Sequence, residues 1–121
     1  QLNFITDKKP HIKNSILGFD IILVNGHTEK QMLPVINYKE KTIVFVADLI
    51  PTVGHIPVPY IMSYDTRPLI TLKEKTLFLQ QAVKNDWLLF MEHDPYNEVV
   101  SLKTGDKGVC IDKSYTLKQV F

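Results

Sequence analysis

His27, Asp48 and His93 are the residues whose types and placement could do chemistry. Each stands at or just past the end of an apolar, strand-like run: residues 19–24 lead through Asn25-Gly26 to His27, 42–46 through Ala47 to Asp48, and 87–92 directly to His93. Imidazole nitrogens and carboxylate oxygens suit zinc and similar divalent ions, and a ligand set drawn from separate strand ends is held rigid by the sheet beneath it. Each of the three also has a plainer reading as a cap, because a Gly-His-Thr turn, an Asp closing a strand and a His before Asp-Pro are common loop elements.

The elements that must position these side chains are mostly strands. Phe19-Asp20-Ile21-Ile22-Leu23-Val24 is dense in β-branched and aliphatic residues and closes on Asn25-Gly26, which predicts a mostly buried strand ending in a turn. Residues 31–38 and 41–47 form a predicted hairpin around the polar tip Lys39-Glu40, with Pro34 favouring an edge or a bulge. Between Leu49 and Tyr64, Pro51, Gly54, Pro57 and Pro59 interrupt apolar residues and predict a long loop. Thr71 and Glu74 match a capping box, and Leu72, Phe78, Leu79, Ala82 and Val83 supply an apolar helical face to about residue 85. A strand then carries the chain to His93, a last hairpin flanks Gly105 and Gly108, and residues 116–121 read as a terminal turn of helix. Residues 1–9 fit either a short strand or an extended arm.

Composition narrows the classes. The 121 residues, 45% hydrophobic, are one domain's worth, read as a single unit over 1–121. Fourteen Lys and Arg against 13 Asp and Glu, a net charge of +1, give no reason to expect nucleic acid or an anionic membrane as partner. No apolar run approaches the ~20 residues of a membrane helix. The single cysteine, Cys110, cannot form an internal disulfide and is expected to be a small buried hydrophobe; a reducing, cytoplasmic setting is the expectation. The chain opens on Gln1 without a Met, and missing upstream sequence is expected.

Taken in order, Asn25-Gly26-His27-Thr28, Val44-Phe45-Val46-Ala47-Asp48 and Leu88-Leu89-Phe90-Met91-Glu92-His93-Asp94-Pro95 resemble the second half of a metallo-β-lactamase-fold hydrolase, over roughly Phe19 to the C-terminus. The resemblance implies an α+β chain forming the β-rich half of an αββα sandwich. It also implies two divalent ions, expected to be zinc, with His27 on one, His93 on the other and Asp48 bridging them. Two such ions would generate a hydroxide nucleophile near neutral pH for an ester, lactone or related bond of a small-molecule substrate.

Two departures from the family pattern matter. The H-x-H-x-D-H motif that supplies most remaining ligands is absent, and the four histidines His11, His27, His55 and His93 cannot rebuild it. That motif is expected upstream, in a missing N-terminal half, which leaves the chain alone inactive and, with one sheet face uncovered, prone to self-association. Where many relatives read Gly-His-Thr-Pro-Gly-His, this chain reads Gly26-His27-Thr28-Glu29-Lys30-Gln31, so the surroundings of the ligand differ.

The loop after Asp48 faces substrate in the family, which makes His55, Tyr60 and Tyr64 candidate substrate contacts. Each has a competing reading, His55 as a hydrogen-bond partner of its own loop and the tyrosines as packing. His11 is expected in a solvated loop, and Asp94 and Glu98 as caps or surface charges. The reading from a different class is a non-catalytic β-rich binding or scaffolding module in which His27, Asp48 and His93 are structural caps.

Overall fold

Alternating apolar runs and tight turns fold, in the computed structural model, into one seven-stranded sheet whose strands lie side by side in sequence order. Residues 2–6 and 8–121 are described. The strands are β1 (His11–Ile12), β2 (Asp20–Val24), β3 (Gln31–Tyr38), β4 (Lys41–Phe45), β5 (Leu88–Phe90), β6 (Val99–Gly105) and β7 (Gly108–Tyr115). Every neighbouring pair is antiparallel except β4 and β5, which are parallel. A parallel pair cannot be closed by a hairpin, so the chain returns through the long loop and helix α1 (Pro68–Lys84). A short helix, α2 (Leu117–Val120), ends the chain under a Thr116–Gln119 capping box.

This topology sets the position of the site. β2 and β4 both run antiparallel to β3, and β5 runs parallel to β4, so β2, β4 and β5 point the same way. Their C-terminal ends share one edge of the sheet, and His27, Asp48 and His93 all lie just past those ends.

One face of the sheet is closed by α1. Leu33, Val35, Val44, Leu89 and Val100 are buried on it with Phe78, Leu79 and Ala82 of the helix, and Trp87 packs its ring 5.9 Å from that of Phe78. The opposite face is only partly covered, where α2 sets Val120 against Ile43 and Val99. Beside that patch Phe45 stacks on Phe90 at 5.7 Å, and Ile36 and Tyr38 stay exposed.

The predicted hairpin is present, and its tip residues Lys39 and Glu40 both adopt positive φ (46° and 62°), the geometry a two-residue turn imposes. Pro34 is neither at an edge nor in a bulge, since β3 is flanked by β2 and β4. A two-residue hairpin closes on a hydrogen-bonded pair, here Tyr38 and Lys41, so even-numbered residues of β3 turn their backbone groups toward β4. Pro34 lies one step beyond the last β3–β4 pair, Val35 with Val44, where no donor is needed.

The predicted capping box at Thr71 and Glu74 is not formed. The helix starts four residues earlier, with Arg67 as N-cap and Pro68 as its first residue, a position where a missing N–H costs nothing. The last hairpin is longer than expected, with β6 and β7 joined through Asp106-Lys107 and a bulge between Ser101 and Leu102. His11 sits in strand β1 with Nε2 3.5 Å from Asp20, not in a solvated loop, and Cys110 is half-buried. Of the segment 1–9, Gln1 and Asp7 lie outside the described residues, and the others form no strand. No helix among the described residues is long and apolar enough to cross a membrane.

Candidate metal centre

His27 is held at the end of β2 from several directions. The Glu74 carboxylate on α1 accepts from the backbone N–H groups of Asn25 (2.8 Å) and Gly26 (2.8 Å). Burial pushes the Glu74 carboxyl upward, against the opposing effect of these hydrogen bonds. Gly26 lies so close to the first turn of α1 that a Cβ there would run into the side chain and backbone of Thr71, which explains the glycine. The returning loop is laced to the same turn: Arg67 N–H donates to the Gly26 carbonyl (2.8 Å), and Thr66 donates to the His27 carbonyl from its N–H (3.2 Å) and its hydroxyl (2.9 Å).

Asp48 follows β4 in a 3₁₀ turn, Ala47–Leu49, entered through Ala47 at φ +43°, a left-handed conformation that is costly for a residue with a Cβ. Its carboxylate stands between two imidazoles, with Oδ2 3.4 Å from His27 Nε2 and Oδ1 3.2 Å from His93 Nε2. Gln31, at the start of the intervening strand β3, reaches Asp48 Oδ2 at 3.4 Å through its side-chain amide.

His93 is anchored by backbone rather than side chain. Its N–H donates to the Pro51 carbonyl (3.2 Å), and the next residue, Asp94, ties the loop together. Asp94 accepts from Val53 N–H through Oδ2 (2.9 Å) and from the N–H groups of Tyr96 (3.0 Å) and Asn97 (2.9 Å) through Oδ1. Burial raises the Asp94 carboxyl, but these hydrogen bonds outweigh it and hold the group below the usual carboxylate range. Asp94 is therefore a loop cap, as its sequence position suggested, and Glu98 likewise accepts from Leu117 N–H.

The structure thus brings the three sequence-derived candidates onto one carboxylate, and it adds residues that sequence reasoning missed. Asp65, with a side chain only 1% exposed, takes His27 Nδ1 at 2.9 Å. Asp65 thereby fixes the ring so that Nε2 is turned toward Asp48. With Nδ1 occupied by Asp65 and Nε2 3.4 Å from the Asp48 carboxylate, the pair offers an imidazole nitrogen and a carboxylate oxygen, a donor set that fits a divalent metal ion. Glu92 is the second addition: Asp48, Glu92 and His93 each offer a ligand atom within 4.8 Å of the others.

The substrate candidates sit differently. His55, in a 3₁₀ turn, bonds through Nδ1 to the Thr52 hydroxyl at 2.8 Å, a contact within its own loop. Tyr60 and Tyr64 are exposed, 62% and 82%, and Tyr64 precedes the Asp65 that touches His27.

No protein-family model matches the sequence, and no curated protein matches it. Solved structures with the same architecture exist. A probable metal-dependent hydrolase from Staphylococcus aureus superposes with a TM-score of 0.73 at 21% identity, over 88% of this chain and 37% of its own. AidC, a dizinc quorum-quenching lactonase, superposes at 0.70 with 26% identity, over 81% of this chain and 34% of its own. The hydrolase AbOPH of the β-lactamase superfamily gives 0.72 at 21% identity, over 84% and 36% respectively. The fold is that of the β-rich half of a metallo-β-lactamase-type αββα sandwich, and the chain spans about a third of the length of the structures it matches.

Proposed function

We propose that this chain carries the C-terminal share of a binuclear metal hydrolase site, with His27 and His93 ligating different ions and Asp48 bridging them. The observation that carries the reading is the Asp48 carboxylate between the two Nε2 atoms, with the far side of His27 fixed by Asp65. The likeness to metal-dependent hydrolases, one of them a dizinc lactonase, supports zinc as the metal and a small-molecule ester or lactone as the substrate. The metal ions, when bound, would acidify a water and polarise the scissile carbonyl. The chain's own residues hold the geometry: Asp65 fixes the tautomer and ring orientation of His27, and the Asp94 loop presents His93. His55, Tyr60 and Tyr64 would wall the substrate side, on the loop that leaves Asp48.

The remaining ligands would come from an H-x-H-x-D-H segment outside this chain, in an N-terminal half that covers the open sheet face. Phe45, Phe90, Ile36, Tyr38 and Phe121 line a cavity of about 320 Å³ on that face, which supports self-association when the half is absent. A cytoplasmic setting agrees with the lone cysteine.

Two measurements test this reading. A protein extended to include its N-terminal half should retain about two metal ions and hydrolyse a lactone, and Asp48→Ala should abolish the turnover; turnover that survives chelation or Asp48→Ala refutes the reading. Sedimentation of the 121-residue chain should show a concentration-dependent dimer, and a monomer at every concentration removes the self-association claim.

A further inference from the structure

The loop between Asp48 and Asp65 is rich in proline; its first half is tied to the His93–Asp94 loop through Pro51 and Val53, and its second half is moored from inside the fold. Lys75, on the third turn of α1, has no exposed surface. Its Nζ donates to the carbonyls of His55 (2.9 Å), Pro57 (3.1 Å) and Tyr60 (2.6 Å). An ammonium has three N–H donors and no acceptor, so the count of bonds made equals the count available. Lysine is almost never fully buried unless it is satisfied in this way.

The three carbonyls span six residues, so the chain is wrapped around a single donor centre. The wrapped segment contains His55 and Tyr60 and continues to Asp65, whose Oδ1 meets His27 Nδ1 at 2.9 Å. Asp65 Oδ2 is buried and has no hydrogen-bond partner. Asp65 is also the charged group that acts on Lys75: burial pushes the ammonium down to about 8, and the Asp65 charge works against that shift. The loop therefore depends on Lys75 for its path, and the orientation of His27 depends on where that path delivers Asp65.

We infer that Lys75 is a positioning residue: by gathering the carbonyls of His55, Pro57 and Tyr60 it sets the substrate-facing loop and places Asp65 against His27 Nδ1. The inference rests on the metal-site reading for its functional meaning, but its geometry is testable without any metal. An apolar residue of similar length, as in Lys75→Met, fills the space and leaves three buried carbonyls without donors. Lys75→Arg keeps the charge but offers a planar fork that cannot converge three donors on the same centre.

The experiment is nuclear magnetic resonance on the metal-free chain, labelled with nitrogen-15. In the wild type the Lys75 ammonium protons should exchange with water far more slowly than those of the surface lysines, and His27 should show the tautomer protonated at Nδ1. Lys75→Met should raise amide exchange across residues 52–62 on the order of tenfold or more and disperse the His27 signal between tautomers, while β6 and β7 stay protected. Asp65→Asn serves as the second variant and should shift the His27 tautomer alone, with loop exchange unchanged. Titration of zinc(II) alone should then show affinity about 10–100-fold weaker in Lys75→Met.

Fast exchange of the Lys75 ammonium in the wild type overturns the inference, and so does an unchanged His27 tautomer in a folded Lys75→Met. If Lys75→Met fails to fold, the wild-type ammonium and Asp65→Asn decide alone. If the wild type takes up no zinc, the exchange and tautomer results still judge Lys75, and the metal-site reading is judged on the protein extended by its N-terminal half.

Discussion

The two sides of Asp48 are built differently. His27 has a side chain 16% exposed, its Nδ1 on a buried carboxylate, its carbonyl held by Thr66 and the backbone before it held by Glu74 and Arg67. His93 has a side chain 53% exposed, and only its backbone and the neighbouring Asp94 loop restrain it. A side chain locked by long-range contacts loses little freedom when it takes up a ligand, whereas a loosely held one must be ordered at that moment. The His27 side is therefore pre-organised by this chain alone, and the His93 side is held by its backbone only.

The most damaging way to break the contrast is Gly26→Ala. The added Cβ meets the backbone of Thr71, which cannot rotate away, so β2 and α1 must separate where His27 is anchored. A loss of about 3 kcal/mol in stability is expected, at the upper end for overpacking, measured by urea unfolding. An equally stable variant would mean that the close approach does not hold the turn.

Asp65→Ala separates the two sides without rebuilding the backbone. It should weaken zinc affinity about 10–100-fold through His27, as loss of a ligand's orienting carboxylate generally does, and leave the Asp94 loop unchanged in amide exchange. Equal loss from removing the exposed Glu92 would erase the distinction between the sides.

The pH dependence of unfolding sharpens it further, because the two anchoring carboxylates shift in opposite directions. The Glu74 carboxyl is raised in the folded chain, so the fold binds that proton more tightly than the unfolded chain does. Its contribution therefore becomes more favourable as pH falls through the folded value toward 4.5. The Asp94 carboxyl is depressed, so its stabilisation is present above the ordinary 3.8 and is lost as pH falls through the folded value. Subtracting stability curves for Glu74→Gln and Asp94→Asn from the wild type should give slopes of opposite sign in the acid range. Slopes of the same sign would contradict the assigned anchors.

Glu92→Gln should have the smallest effect, under about 0.5 kcal/mol on stability, as for most exposed substitutions. A larger loss on thermal unfolding would show that Glu92 supports the fold as well as standing beside Asp48 and His93.

How much of this could be read from the sequence follows from the range of the interactions. The placement of His27, Asp48 and His93 just past strand ends was legible because each closes a local apolar run, and strand ends are where a sheet gathers side chains. The strand directions that bring them to one edge needed the parallel β4–β5 pairing, which no local pattern encodes. Glu74 was misread for the same reason: Thr71-x-x-Glu74 satisfies a cap pattern locally, but the carboxylate is used 48 residues away at Gly26. Asp65 closes a proline-rich loop, where an Asp reads as an ordinary turn residue, and Lys75 lies on a helix where lysine reads as surface, so neither carried a signal. Both are identified only by burial together with a partner distant in sequence.

The most direct test of the central claim is a zinc(II) titration of the metal-free chain, followed through the side-chain nitrogen-15 signals of its four histidines. The account predicts that His27 and His93 Nε2 respond together and saturably while His11 and His55 do not, and that Asp48→Ala removes the response. A titration in which all four histidines respond alike, or in which His27 and His93 respond equally well without Asp48, would contradict it.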